Sequence, residues 1–152
     1  MHLAELNIAR ALYEMDDPRM AGFTDNVDLI NGVAERSKGF VWRLKDKSGS
    51  ATNIPWSDDP QMLVNMSVWE SPEDLEHYVW NTVHKKIYDK KEDWFPQMEM
   101  AHFVMWWVPK GHQPTLEEAR QKLEHLNEFG STEEAFGWDK LTNLKTWMKK
   151  VC

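Results

Sequence analysis

The chain has 152 residues, enough for one domain, and its 41% hydrophobic and 28% charged content marks a folded rather than a disordered chain. A formal net charge of −7 excludes bulk neutralisation of phosphates, and so a general nucleic-acid binder. The single cysteine, Cys152, excludes an internal disulfide framework and a zinc ribbon. No apolar run approaches the ~20 residues of a membrane helix. The N-terminal stretch MHLAELNIARAL lacks the basic start and long apolar core of a signal peptide, so the expected location is cytoplasmic. The unusual count is nine tryptophans, which suits an aromatic core, an interface or a ligand pocket.

In chain order, the apolar stretch Leu3 to Leu12, with Glu5 and Asn7 inserted, predicts a strand. Asp16, Asp17 and Pro18 resemble a helix start, and the helix is expected to run to about Arg36 with Met20, Phe23, Val27, Ile30 and Val33 or Ala34 inward. Gly39 ends it, and Phe40 to Leu44 is a second strand. Lys45 to Gln61 reads as a polar loop that carries Trp56. Met62 to Trp69 is a third strand, with an apolar face of Met62, Val64, Met66 and Val68 and a mixed face of Leu63, Asn65, Ser67 and Trp69.

Ser71-Pro72-Glu73-Asp74 is a strong helix start, because Ser71 can cap, Pro72 suits the first helical position and two acids complement the dipole. This helix is expected to reach Asp93, with Leu75, Tyr78, Val79, Val83 and Ile87 inward and Pro96 as its stop. His102 to Val108 is a fourth, nearly all-apolar strand. Thr115 and Glu118 form a capping-box pattern that opens a third helix ending at Phe129-Gly130. Leu141 to Val151 could be a short basic helix.

The order β-α-β-β-α-β plus an extra helix predicts an α+β, ferredoxin-like protomer over residues 1–138, followed by a C-terminal extension, 139–152. A sheet with one solvated face should alternate polar and apolar residues, and the third and fourth strands do not. Something must cover that face. A second copy of the chain would give a homodimer; the alternative is the chain's own tail.

His84 lies near His77, Trp80 and Tyr88 at helical spacing, where a histidine can act as acid or base, ligate a metal or haem, or sit half-buried on a carbonyl. Glu5 and Asn7 share one face of the first strand, and Asn65, Ser67 and Trp69 one face of the third. Polar groups on central strands need a hydrogen-bond network or a wet cavity. If both sets face the helices, they enclose with His84 a pocket walled by Trp42, Trp69, Trp80 and Trp106; the alternative is a structural network in a Trp-rich core. No HExxH, glycine-rich nucleotide loop or paired metal-ligand spacing is present, so no dedicated metal site is expected.

The stretch Val68-Trp69-Glu70-Ser71-Pro72-Glu73-Asp74-Leu75, followed by His84, resembles the dimeric α+β-barrel superfamily, in particular antibiotic-biosynthesis monooxygenase-like domains. The wider pattern, WESPEDLEHYVW, DWF, HFVMWWVPKGHQPT and LEHLNEFGSTEEAF, is similar to the domain-of-unknown-function family numbered 3291. The resemblance implies the fold and a dimer, but no single reaction. Haem-degrading members of the superfamily use an Asn on the first strand and a Trp and a His on the long helix. Asn7 matches, whereas Tyr78 stands where the Trp would be and Tyr88 near the axial His position. Haem is therefore possible, haem degradation doubtful, and no cofactor is predicted.

Three expectations follow. The first is a monooxygenase-like enzyme without a tightly bound cofactor, acting on a small aromatic or polyketide-like molecule, with His84 as acid/base and Asn7 and Asn65 orienting a carbonyl or enolate oxygen. Glu5, Trp42, Ser67, Trp69, Tyr78, Trp80, Tyr88 and Trp106 would line its pocket. The second is a non-catalytic ligand-binding or stress-related dimer, and the third a structural core without ligand.

Overall fold

The first strand, β1 (His2–Arg10), is the axis of the molecule. The computed structural model describes residues 1–82, 84–95 and 102–141, with the backbone alone at 84, 87 and 88. β1 pairs antiparallel on one side with β3 (Met62–Trp69) and on the other with β4 (Phe103–Val108). β2 (Phe40–Arg43) joins the outer edge of β3, giving the sheet order β2-β3-β1-β4. This is the ferredoxin-like α+β order.

Register decides which residues share a face, because directly paired side chains point the same way. Leu3 pairs with Trp69 and Trp107, Glu5 with Ser67 and Met105, and Asn7 with Asn65 and Phe103. These residues form one face. Ala4, Leu6 and Ile8, with Val68, Met66, Val64, Trp106 and Val104, form the other.

The first face is covered by α2 (Val27–Arg36) and α3 (Pro72–Asn81), whose Ile30, Val33, Ala34, Leu75 and Tyr78 pack with Leu3, Trp69 and Met105. Asp17 caps a 3-10 turn at Pro18–Met20, which leads into the short α1 (Ala21–Thr24). The single helix expected from Pro18 to Arg36 is thus in pieces. Thr24 Oγ1 donates to the Met20 carbonyl and Asn26 Nδ2 to the Gly22 carbonyl, local bonds that compete with helix continuation. The break lets Met20 and Phe23 pack with Ala11 and Trp94 while α2 turns to the sheet.

The helix expected to reach Asp93 is also broken. Ser71 caps α3 as predicted, accepting from the Asp74 amide, but Thr82 is extended and its hydroxyl donates to the Tyr78 carbonyl at 2.6 Å. α4 (His84–Asp89) and a 3-10 turn at Lys91–Asp93 follow. The expected inward Val83 and Ile87 side chains, the stop at Pro96 and the tail helix beyond Leu141 lie outside the described residues.

The second face is filled from within the chain. α5 (Leu116–Phe129), capped by Thr115, lays Ala119 and Leu123 on it, and Leu44, Ile54 and Trp56 of the long loop pack beside them. Trp106 Nε1 donates to Glu118 Oε2 at 2.8 Å, and the Arg120 guanidinium lies over the Trp56 ring while donating to the Trp56 carbonyl. The uncovered face that called for a second copy therefore has its own cover. At the free edge of β4, Met105 and Phe136 exchange backbone hydrogen bonds, so the segment after α5 closes that edge.

Gly39 sets how closely α3 approaches β2. It has φ +83°, and a Cβ there would collide with Asp74 Oδ2, the carboxylate bonded to the Ser71 cap. Gly39→Ala is expected to destabilise the fold by at least about 2 kcal/mol in urea unfolding, through positive-φ strain and the displaced cap. A change below about 0.5 kcal/mol would contradict this packing.

Candidate functional site

Glu5 sits at the middle of the central strand and is 4% exposed. Ser67, its partner across β1–β3, donates from Oγ to Glu5 Oε1 at 2.6 Å. Ser67 Oγ in turn accepts from Trp69 Nε1 at 2.9 Å. Burial removes the carboxylate from water, and the Ser67 bond offsets only part of that penalty, so the Glu5 carboxyl is pushed up to about 7. A carboxyl poised there can both take and return a proton near neutrality.

Aromatic rings border this group. Tyr78 stacks on Trp69 with centroids 5.2 Å apart, and Phe40 meets the Trp69 edge at 5.6 Å. The Tyr78 hydroxyl donates to the Ile30 carbonyl at 3.2 Å, which ties α3 to α2. Burial, then the charge of Glu5, hold the Tyr78 phenol well above its ordinary range, against the pull of Arg43. Tyr78 is therefore a neutral wall. Trp80 is buried in the same cluster.

From Glu5 toward the other end of the face, cover thins. Asn7 is half-buried and its partner Asn65 is exposed. Asn7 and Asn65 thus continue the polar row of the Glu5–Ser67 pair along the same face. A surface cleft of about 240 Å³ between Met15, Thr24, Val27, Asp28, Ser48, Ser50, Thr52 and Asn53 is separate from it, since none of Glu5, Asn7, Asn65 or Ser67 lines it.

The structure brings Glu5, Asn7, Asn65, Ser67, Trp69, Tyr78 and Trp80 together on the helix side of the sheet. It corrects two pocket walls. Trp42 pairs with Val68, and Trp106 with Ala4, so both belong to the face under α5. Strand alternation marks two faces but not which one a third helix will claim. His84 begins α4, and the side chains of His84 and Tyr88 lie outside the described residues.

Sequence reasoning missed Arg43. Strict alternation along Phe40 to Leu44 would set Phe40 and Arg43 on opposite faces. A bulge between Phe40 and Trp42 puts Phe40 opposite Trp69 and Arg43 opposite Ser67, on the same helix face. The bulge has no signature in the sequence.

With this geometry in place, comparison with known families is decisive at one point: the domain of unknown function DUF3291 matches residues 2–151. The chain belongs to the DUF3291 family. The match runs past Trp138 into the C-terminal segment. Among solved structures, a protein of unknown function from Nitrosomonas europaea is similar, at 10% identity and TM-score 0.48, with 75% of this chain and 95% of that one covered. A protein from Chloroflexus aurantiacus, provisionally assigned as an antibiotic biosynthesis monooxygenase, is similar at 16% identity and TM-score 0.40, covering 75% of this chain and 98% of that one. No curated protein matches this DUF3291 chain.

Among the described residues, no group of three or more His, Cys, Asp and Glu side chains could hold a metal ion. The residues considered for haem, His84 and Tyr88, have side chains outside the described residues.

The raised Glu5 carboxyl fixes a pH dependence. Between about 4.5, its ordinary value, and about 7, the folded chain holds a proton that the unfolded chain releases. Stability must fall as pH rises through that window and level off above it. Urea unfolding at pH 5 and pH 8 is expected to differ by about 3 kcal/mol, with the lower stability at pH 8. Glu5→Gln is expected to flatten this part of the profile; a slope unchanged in that variant would contradict the assignment.

Proposed function

We propose that this DUF3291 protein binds a small aromatic or polyketide-like molecule on the helix side of its sheet, over Asn65 and Asn7, and that Glu5 exchanges a proton with it. The reading is of a monooxygenase-like enzyme that works without a tightly bound cofactor. What carries it is the Glu5 carboxyl, buried beside Ser67 and pushed up to about 7. The sequence resemblance to monooxygenase-like domains supports the reaction class.

In this reading Glu5 removes a proton from a carbon next to an aromatic carbonyl, and the amides of Asn7 and Asn65 hold the oxygen on which the negative charge develops. Trp69 and Tyr78 provide a flat apolar wall that keeps water from the carbanion. His84, at the start of α4, is the second acid/base group of the proposal. The carbanion passes its electrons to dioxygen, the resulting hydroperoxide loses water, and the former CH₂ becomes a carbonyl. Dioxygen is thus consumed one for one, with one oxygen atom in the product and one in water. The homodimer and the cytoplasmic location expected from the sequence belong to the same proposal; a monomer mass by light scattering would reject the dimer.

Anthrone is a suitable probe, because its CH₂ protons are acidified by a planar aromatic ketone. It is expected to quench tryptophan fluorescence and to be converted to anthraquinone with one dioxygen consumed per molecule. Glu5→Gln should keep the quenching and lower kcat by about 10²- to 10⁴-fold, the usual weight of a general base. Quenching without oxygen uptake in the wild-type protein would favour the non-catalytic binding protein. Absence of quenching would reject a ligand on this face.

A further inference from the structure

Arg43 is 9% exposed, on the helix face opposite Ser67, two strands from Glu5. A buried guanidinium ordinarily has a carboxylate in close, forked contact. Arg43 has none. Nη2 donates to the Gly49 carbonyl and reaches Glu35 Oε1 only at 3.5 Å. Glu35 is itself 39% exposed and lies 3.8 Å from Lys45, so its charge is shared with a second cation and with water. Nε of Arg43 is buried with no hydrogen-bond partner among the described residues.

Glu5, the other buried ionisable group on this face, does not supply the missing charge. Its described hydrogen bond comes from Ser67, and β3 stands between its strand and that of Arg43. Tyr78 feels both Glu5 and Arg43 and is itself neutral. The helix face therefore combines stacked aromatic rings with an under-compensated cation.

We infer that Arg43 receives an anionic group of the ligand, and that the substrate class is the planar aromatic carboxylic acids rather than neutral aromatic ketones alone. The carboxylate would take the Nε side of the guanidinium fork, where a donor now stands idle, while Nη2 keeps the Gly49 carbonyl. The ring system would lie toward Trp69 and Tyr78. This rests on the ligand face proposed above and names the charge its ligand carries.

The test is a matched pair of probes, 2-naphthoate and 2-naphthamide, which share the ring and differ in charge. Binding is followed by tryptophan fluorescence at pH 7.5 in the wild-type protein, Arg43→Lys and Arg43→Gln. The wild-type protein is expected to bind the acid at least tenfold more tightly than the amide. Arg43→Gln should reduce that preference below twofold with the amide affinity unchanged, and Arg43→Lys should retain part of it. Equal wild-type affinities, or a preference that survives Arg43→Gln, would overturn the inference. The wild-type comparison decides even if Arg43→Gln fails to fold. If neither naphthalene nor anthrone binds, the ligand face itself is rejected; if anthrone binds and the acid has no advantage, only the role of Arg43 is.

Discussion

A carboxyl group in the centre of a four-stranded sheet must be hydrogen-bonded, neutral or paired, because water cannot reach it from either neighbouring strand. Glu5 meets that demand through Ser67 and through partial neutrality. Much of the helix side of the sheet follows from this. Ser67 is fixed by Trp69, Trp69 is stacked by Tyr78, and Tyr78 is tied by its hydroxyl to α2. The chain of contacts links two helices to one carboxyl. A network that is fully satisfied rigidifies a core, and one that leaves a proton exchangeable can do chemistry. Glu5 does the first through Oε1 and is poised for the second by its raised affinity for a proton.

The two faces of the sheet divide the work. The face under α5 is an apolar layer in which Trp106 bonds to Glu118 and Arg120 to Trp56. The helix face holds the buried Glu5 and Arg43. Arg43 lacks a close counter-charge there, and Trp138 Nε1, whose ring stacks on Phe103, is buried with no partner among the described residues. The apolar residues of β3 and β4 on the other face are covered by α5 and the long loop.

The sequence carried the strand order, the register-bearing β3 and both strong caps, Ser71 and Thr115, because these depend on local chemistry and on period-two patterning. The Glu5, Asn7, Asn65, Ser67 and Trp69 grouping was legible for the same reason, since alternation along two central strands places them on one face. The helix breaks at Asp25–Asn26 and Thr82 were not legible. They come from side chains bonding back to carbonyls, a competition that hydrophobic spacing does not register. Trp42 and Trp106 were put on the wrong side because nothing in their own strands says where α5 will lie. Arg43 was hidden by a bulge, which shifts facing by one residue without a marker such as glycine.

The account turns on the protonation of one carboxyl, and that can be observed without knowing the ligand. Carbon-13 NMR of the protein with labelled glutamate side chains, assigned by comparison with Glu5→Gln, follows the Glu5 carboxyl directly. The account predicts a titration midpoint near 7 for this one resonance, far above the ordinary glutamate value of 4.5. A midpoint at the ordinary value would show a solvated, permanently ionised Glu5 and would contradict both the buried network and the proton transfer assigned to it.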